Sequence, residues 1–234
     1  MCGRSSLTKT EKEIEERFNA SFYSEDLERY NPIPNFNVAP THMHPVITND
    51  DQEHLQLFKW GLIPFWAKDH RIGFKMINAR LETVAEKSAY KNALKSRRCI
   101  VPFDGYYEWQ KTTQGKLPFR IVTKNTDIFS VAGLWERWKD NDGNHVFSFT
   151  IITQPASPKI AHIHDRMPGI LLPEQERLWI NLEMPVEEVV RIIEPYPDDY
   201  LDFYRVSKRV NKVSENDADL IKPIQEEEQK TLFD

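Results

Sequence analysis

IFSVAGLWERWKDNDGNHVFSFTIIT, from Ile128 to Thr153, is the stretch that decides the fold class. Ile128 to Trp135 and Val146 to Thr153 are rich in β-branched and aromatic residues, which fit a pleated, half-buried surface. Asp142-Gly143 between them is a pair that accepts the positive φ angles of a tight turn, so the stretch predicts a β-hairpin and hence antiparallel pairing. Working outward, similar runs recur at His44 to Thr48, Leu55 to Trp60, Arg98 to Pro102, Gly105 to Gln110, Phe119 to Thr123 and Phe203 to Val206. Helix signals are fewer. Thr10 with Glu13, and Thr83 with Glu86, have capping-box spacing and predict helices near residues 11–19 and 84–95. Ser157-Pro158 and Leu172-Pro173 place proline in a first helical turn, and Val186 to Glu194 has short amphipathic spacing. Short strands at close intervals with few helices predict one α+β domain, mainly antiparallel.

With 234 residues, 40% hydrophobic and 12% aromatic, the chain can fill a real core. No run reaches the roughly 18 apolar residues of a membrane span, and the charged start is not a signal peptide, so a soluble cytoplasmic protein is expected. Two cysteines, Cys2 and Cys99, without a C-x-x-C motif, argue against a disulfide scaffold or a zinc site, and no metal or other cofactor is expected. Cys99 lies in an apolar run and is expected to be a buried strand residue. Residues 215–234 hold seven acids and two lysines, which accounts for the whole net charge of −5 and leaves the first 214 residues formally neutral. The division expected is a domain at 1–214 and a flexible acidic tail at 215–234. Lys87 to Arg98 and Arg205 to Lys212 are basic runs without an acid, fit either to face phosphates or to form solvated faces.

The chemistry starts at Met1-Cys2-Gly3-Arg4. Initiator methionine is normally trimmed before a small residue, which would leave Cys2 with an amine and a thiol on one residue. An α-amino group with a pKa of about 7.7 to 8.0 is a far better nucleophile near neutrality than an unperturbed lysine. The amine can condense with an aldehyde to an imine, and the thiol can close on that carbon to give a thiazolidine. Elsewhere, Trp60 to Trp66 is either a core corner or an aromatic wedge on which bases stack. Asn78 and Arg80 share a face if their segment is extended. Glu108 sits in an aromatic strand, where burial would suit it to proton transfer, or it faces solvent. His164 beside Arg166 is either structural or a proton donor close to a phosphate.

Met1-Cys2-Gly3-Arg4, Asn37-Val38-Ala39-Pro40, Trp60-Gly61-Leu62-Ile63-Pro64, Asn78-Ala79-Arg80-Leu81-Glu82, Arg98-Cys99-Ile100-Val101-Pro102, Gly105-Tyr106-Tyr107-Glu108-Trp109, Ala132-Gly133-Leu134-Trp135 and His164-Asp165-Arg166-Met167-Pro168 occur in that order. In this the chain resembles bacterial members of the SRAP family, the SOS-response-associated peptidase proteins. The resemblance implies an α+β domain with a barrel-like core flanked by short helices. It also implies a DNA-damage role: binding single-stranded DNA that contains abasic sites and crosslinking to it through the N-terminal Cys2. By the same resemblance, Glu108 would be general acid and base, His164 would shuttle protons to the deoxyribose ring oxygen, and Asn78 would orient substrate and amine. Arg4, Arg80 and Arg166 would hold phosphates, and Phe65 and Trp66 would stack near the lesion. The protein would act as a monomer, nucleoid-associated when bound to DNA.

Three other classes compete. Glutamine amidotransferases also begin Met-Cys-Gly, but they continue with isoleucine and rely on an Asn-Gly pair that this chain lacks. A cysteine peptidase could pair Cys2 with His164. A non-catalytic single-strand sensor would bind without a covalent bond.

Overall fold

The stretch 128–153 forms the hairpin its sequence predicts. In the computed structural model, which describes residues 2–29 and 32–224, β10 (Phe129–Lys139) and β11 (His145–Pro155) pair antiparallel from Gly133↔Ile151 to Lys139↔His145. Asp140 holds the turn, accepting from the Asn144 amide at 2.7 Å, and Gly143 takes φ +90°. The other strands in chain order are β1 (Ser5–Leu7), β2 (Ser21–Phe22), β3 (Asn35–Val38), β4 (Met43–Thr48), β5 (His54–Trp60), β6 (Asn78–Arg80), β7 (Arg98–Phe103), β8 (Gly105–Thr112), β9 (Gly115–Thr123), β12 (Arg166–Pro168), β13 (Ile170–Leu171) and β14 (Leu201–Arg205). The α-helices are α1 (Glu11–Phe18), α2 (Ser24–Arg29), α3 (Lys91–Ser96), α4 (Pro173–Ile180) and α5 (Val186–Val189).

Five strands close on themselves. β5 pairs with β4, β4 with β7, β7 with β10 and β10 with β11, and β11 returns to β5 through the parallel pairs Ser148↔Lys59 and Phe149↔Trp60. Closure removes exposed edges from this barrel. Trp60, Phe103, Phe129 and Phe149 fill it, with Trp60 stacked on Phe149 at 6.1 Å. Burying a side chain of this size stabilises by about 1.5–3 kcal/mol. The second sheet, in the order β14-β9-β8-β1-β3, shares the same core through Tyr106, Phe119, Ile121 and Leu201.

Arg98 joins the barrel to two helices. It is fully buried, and its guanidinium donates to the carbonyls of Leu94 at 2.8 Å, Trp179 at 2.5 Å and Asn181. These carbonyls lie in or just after the last turns of α3 and α4, where the helix dipole favours a cation. This basic residue is therefore an internal tie, not part of a phosphate-facing run.

The capping box at Thr10 and Glu13 and the proline start at Pro173 open α1 and α4 as expected. Two helix expectations fail. Thr83 starts only a single turn, accepting from the Glu86 and Lys87 amides, and α3 begins at Lys91. Val84 is buried and the Tyr90 hydroxyl is fixed to the Asn78 carbonyl at 3.1 Å, so tertiary anchoring outweighs local propensity. After Ser157 the chain makes successive turns that carry Ile160 and Ile163 into the core. The tail expectation is also corrected in part. Residues 215–224 pack on the domain: Leu220 is buried, the Tyr204 hydroxyl donates to the Ile221 carbonyl at 3.0 Å, and Arg209 pairs with Glu215 and Asp217. The remainder of the expected tail, 225–234, lies outside the described residues.

His44 gives the fold a pH dependence. It is buried against Phe103, its Nε2 donates to the Pro102 carbonyl at 2.7 Å, and burial lowers its pKa from 6.5 to about 4. A folded pKa below the unfolded value means stability that is whole above the unfolded pKa and is lost as pH falls toward the folded one. Urea melts should therefore show up to about 3 kcal/mol lost between pH 6.5 and 4 through this residue, and His44→Gln should flatten that part of the profile. Parallel profiles for the two proteins would contradict it.

Candidate active site

Cys2 and Glu108 meet because β1 and β8 are neighbours. Ser5 lies opposite Tyr106, and the Tyr107 amide donates to the Arg4 carbonyl at 2.9 Å, so the chain before β1 runs along β8 toward Glu108. One face of this pair is pinned by Asp104, which accepts from the Ser6 hydroxyl at 2.6 Å, the Thr8 amide at 2.6 Å and Arg120 at 2.9 Å. Gly105 allows that approach, since a Cβ there would stand 2.6 Å from Arg120 Nε. Alternation along β8 sends Tyr107 to the Arg120 face, and sends Tyr106 and Glu108 to the face that meets the barrel.

Cys2 is 1% exposed and Glu108 3%, and the thiol and carboxylate are close enough that each acts on the other's ionisation. Burial, then the Glu108 charge, pushes the Cys2 thiol well above its ordinary pKa. Burial also raises the Glu108 carboxyl, with Cys2 and His164 acting against it. A carboxyl moved up toward neutrality can both take and return a proton.

His164 Nε2 stands 3.9 Å from Glu108 Oε2. Its Nδ1 accepts from the Arg166 amide at 3.0 Å, which leaves the ring proton on Nε2, facing Glu108. Asp165 Oδ1 is 3.1 Å from the same Nδ1, a favourable contact only when the ring gains a second proton. Asn78 and Arg80 come from β6, which runs parallel to β11 with Ile151↔Asn78 and Thr153↔Arg80. Both atoms of the Asn78 side-chain amide are buried and make no hydrogen bond among the described residues. Buried amides are ordinarily satisfied, so these atoms are suited to a bound polar group. Arg80, two residues on, is exposed.

Arg4 and Arg166 are already engaged. Arg4 donates to Asn37 Oδ1 at 2.7 Å and to the Val210 carbonyl, and lies over the Trp109 ring at 5.9 Å. Arg166 forms a two-point pair with Glu82 and donates to the Thr153 carbonyl at 2.6 Å, and its charge also acts on Cys2. A phosphate meeting either arginine would have to displace or share these partners.

The segment 60–66 divides between its two readings. Trp60 is core, whereas Phe65 is 54% and Trp66 48% exposed. A close backbone approach holds their loop: a Cβ at Gly61, which has φ +124°, would lie 2.7 Å from the Gly73 carbonyl oxygen. Lys68, Arg71 and Lys75 surround Trp66, and Phe65 borders a cleft of about 1070 Å³. That cleft does not include the Cys2–Glu108 pair. A smaller one of about 370 Å³ does reach the chemistry, and is lined by Glu108, His164, Trp109, Lys111, Lys116 and Asn211. Its small volume and reactive lining make it the better candidate than the larger, mixed-charge groove.

Sequence reasoning missed Glu82 as the partner of Arg166, Trp109 as the platform under Arg4, and Lys111 and Lys116 at the cleft mouth. The alternation in Lys111-Thr112 and Lys116-Leu117 across a turn held a signal for the lysines. Met1, whose removal the sequence predicts, lies outside the described residues. No group of three or more metal-binding side chains occurs among the described residues. No helix among them is long and apolar enough to cross a membrane.

A closed five-stranded barrel with a flanking sheet, and a buried thiol and carboxylate with a partly exposed imidazole where they meet, define a class of cysteine-containing α+β proteins. The chain matches the family model of SRAP, SOS response associated peptidase, over residues 1–213, and it belongs to that family. It is 40% identical over 224 residues to the abasic site processing protein YoqW of Bacillus subtilis (strain 168), covering 94% of this chain and 99% of that protein. It is 30% identical over 226 residues to the abasic site processing protein HMCES of Gallus gallus, covering 82% of this chain and 67% of that one. A crystal structure of a protein from Bacteroides thetaiotaomicron superposes with a TM-score of 0.88 at 28% identity, covering 96% of this chain and 100% of that one.

Proposed function

We propose that the protein processes abasic sites: as a monomer it binds single-stranded DNA containing them and, once Met1 is removed, crosslinks to the lesion through Cys2. The observation that carries this reading is the buried, mutually interacting Cys2–Glu108 pair with His164 Nε2 3.9 Å from the carboxylate. The names of the relatives support the choice of lesion. Glu108 takes the C1′ hydroxyl proton while His164, protonated on both ring nitrogens beside Asp165, gives its Nε2 proton to the deoxyribose ring oxygen, and the bond from C1′ to the ring oxygen opens to the aldehyde. The Cys2 amine adds to C1′, Glu108 relays a proton from nitrogen to the new hydroxyl, and water leaves to give the imine. The thiol proton then passes to Glu108 while sulfur bonds to C1′ and the C=N electron pair returns to the imine nitrogen, which is protonated and so becomes the neutral ring N–H. The product is a thiazolidine. Asn78 orients the sugar, Arg80, Arg4 and Arg166 hold flanking phosphates, and Phe65 and Trp66 stack beside the lesion.

The peptidase reading fares worse on electrostatics. A peptidase cysteine is activated by a lowered pKa beside an imidazole, whereas burial and then the Glu108 charge raise the Cys2 thiol. Denaturing electrophoresis with single-stranded oligonucleotides, intact or carrying one abasic site, tests the proposal. A slow-migrating band is expected with the abasic strand alone. No such band, together with hydrolysis of peptide substrates, would favour the peptidase.

Arg80 makes a second test. Arg80→Ala should weaken single-strand binding and reduce the salt slope by about one phosphate contact, because released counterions set that slope. An unchanged slope would take Arg80 out of the interface.

A further inference from the structure

Tyr106 carries a group that neither the fold nor the reaction above employs. It is 1% exposed in the core beneath the site, and its hydroxyl is buried with no hydrogen-bond partner among the described residues. Buried hydroxyls are ordinarily satisfied, and a phenylalanine would fill the same space without stranding a donor. Position gives the hydroxyl a use. Tyr106 lies two residues before Glu108 on β8, so both side chains leave the same face of the strand. It belongs to the same buried cluster as Cys2, and the charges of Cys2 and Glu108 both act on its hydroxyl. Burial, and then those charges, keep the phenol protonated, so it has a hydrogen to donate to the site.

The reaction requires such a donor. Ring closure needs sulfur to lose its proton in a buried position beside a carboxylate, where Arg166 is the side-chain cation acting on it and that arginine is shared with Glu82. We propose that Tyr106 is a further catalytic residue, whose hydroxyl donates a hydrogen bond to the Cys2 sulfur as the thiol proton moves to Glu108 and the carbon–sulfur bond forms. The phenol keeps its own proton throughout. Sulfur supplies the electron pair of the new bond, and the protonated imine nitrogen receives the pair from the broken C=N π bond and becomes the ring N–H. This inference rests on the crosslinking reading and concerns only its second, sulfur-dependent half.

The test is Tyr106→Phe, followed by rapid quench in two ways: borohydride trapping for the imine, and denaturation without borohydride for the durable adduct. Loss of one well-placed donor should slow durable adduct formation by about tenfold or more, with the rise in rate moved to higher pH, while imine trapping changes less than twofold. Thermal stability and affinity for intact single-stranded DNA should be retained. Equal durable-adduct rates for the two proteins would overturn the assignment. So would equal slowing of both steps, which marks a packing defect. Should Tyr106→Phe fail to fold, a ring-fluorinated tyrosine at 106, similar in shape with a more acidic hydroxyl, replaces it; an unaltered durable rate would then overturn the proposal. If the wild-type protein gives neither imine nor adduct, the crosslinking reading itself fails, an outcome distinct from a normal wild type with an unaffected variant.

Discussion

Cys2→Ser should abolish the heat- and denaturant-stable adduct with abasic DNA while leaving an imine that borohydride can trap. The amine is retained in this variant and the sulfur is not, so the substitution separates the two bonds Cys2 is proposed to make. An extra residue placed before Cys2 should remove both products, because the amine would then lie within a peptide bond. Folding should survive the serine: Cys2 is a small side chain at the start of the chain, and Asp104 and Arg120 hold β1 independently of it. An adduct from Cys2→Ser as durable as that of the wild type would rule out thiazolidine closure.

Glu108→Gln should slow crosslinking by about 10²- to 10⁴-fold, the range for loss of a positioned acid–base group, with single-strand affinity little changed. The variant should also be more stable at neutral pH. The folded pKa of Glu108 is raised, so its contribution to stability is present below the unfolded carboxyl value and is lost as pH rises through the folded one. Glutamine removes that loss, so its advantage in Tm should be larger at pH 7 than at pH 4. The wild-type rate should fall on acidification at a pH above the ordinary carboxyl range of about 4.3. A Tm difference independent of pH would show that Glu108 is not the strained acid described, and equal crosslinking rates would remove it from the mechanism.

Much of this arrangement is legible in the sequence. Hairpin chemistry at Asp142-Gly143 and the spacing of β-rich runs specify antiparallel strands, and the Thr10–Glu13 capping box specifies α1, because turns and caps are local. Cys2, Glu108 and His164, residues named from type and motif order, come together in space. What was hidden depends on pairing between distant segments. The β1–β8 register decides that the chain before β1 brings Cys2 to Glu108, and the β6–β11–β12 pairings bring Glu82 to Arg166. Arg98 looked like part of a basic surface because its ligands, carbonyls from two helices, leave no mark in composition. Thr83 misled because capping-box spacing is only local: the Thr83 carbonyl closes a single turn, and where the helix begins depends on where Val84 and Tyr90 are buried.

Intact mass spectrometry of the protein after incubation with a single-stranded abasic oligonucleotide, with proteolytic mapping of the attached residue, tests the central claim most directly. The account predicts a species with the mass of the chain lacking Met1 plus the oligonucleotide less one water, with the modification confined to the peptide that begins at Cys2. Attachment at any other residue, an adduct that retains Met1, or no covalent species under conditions where the abasic strand is bound would contradict it.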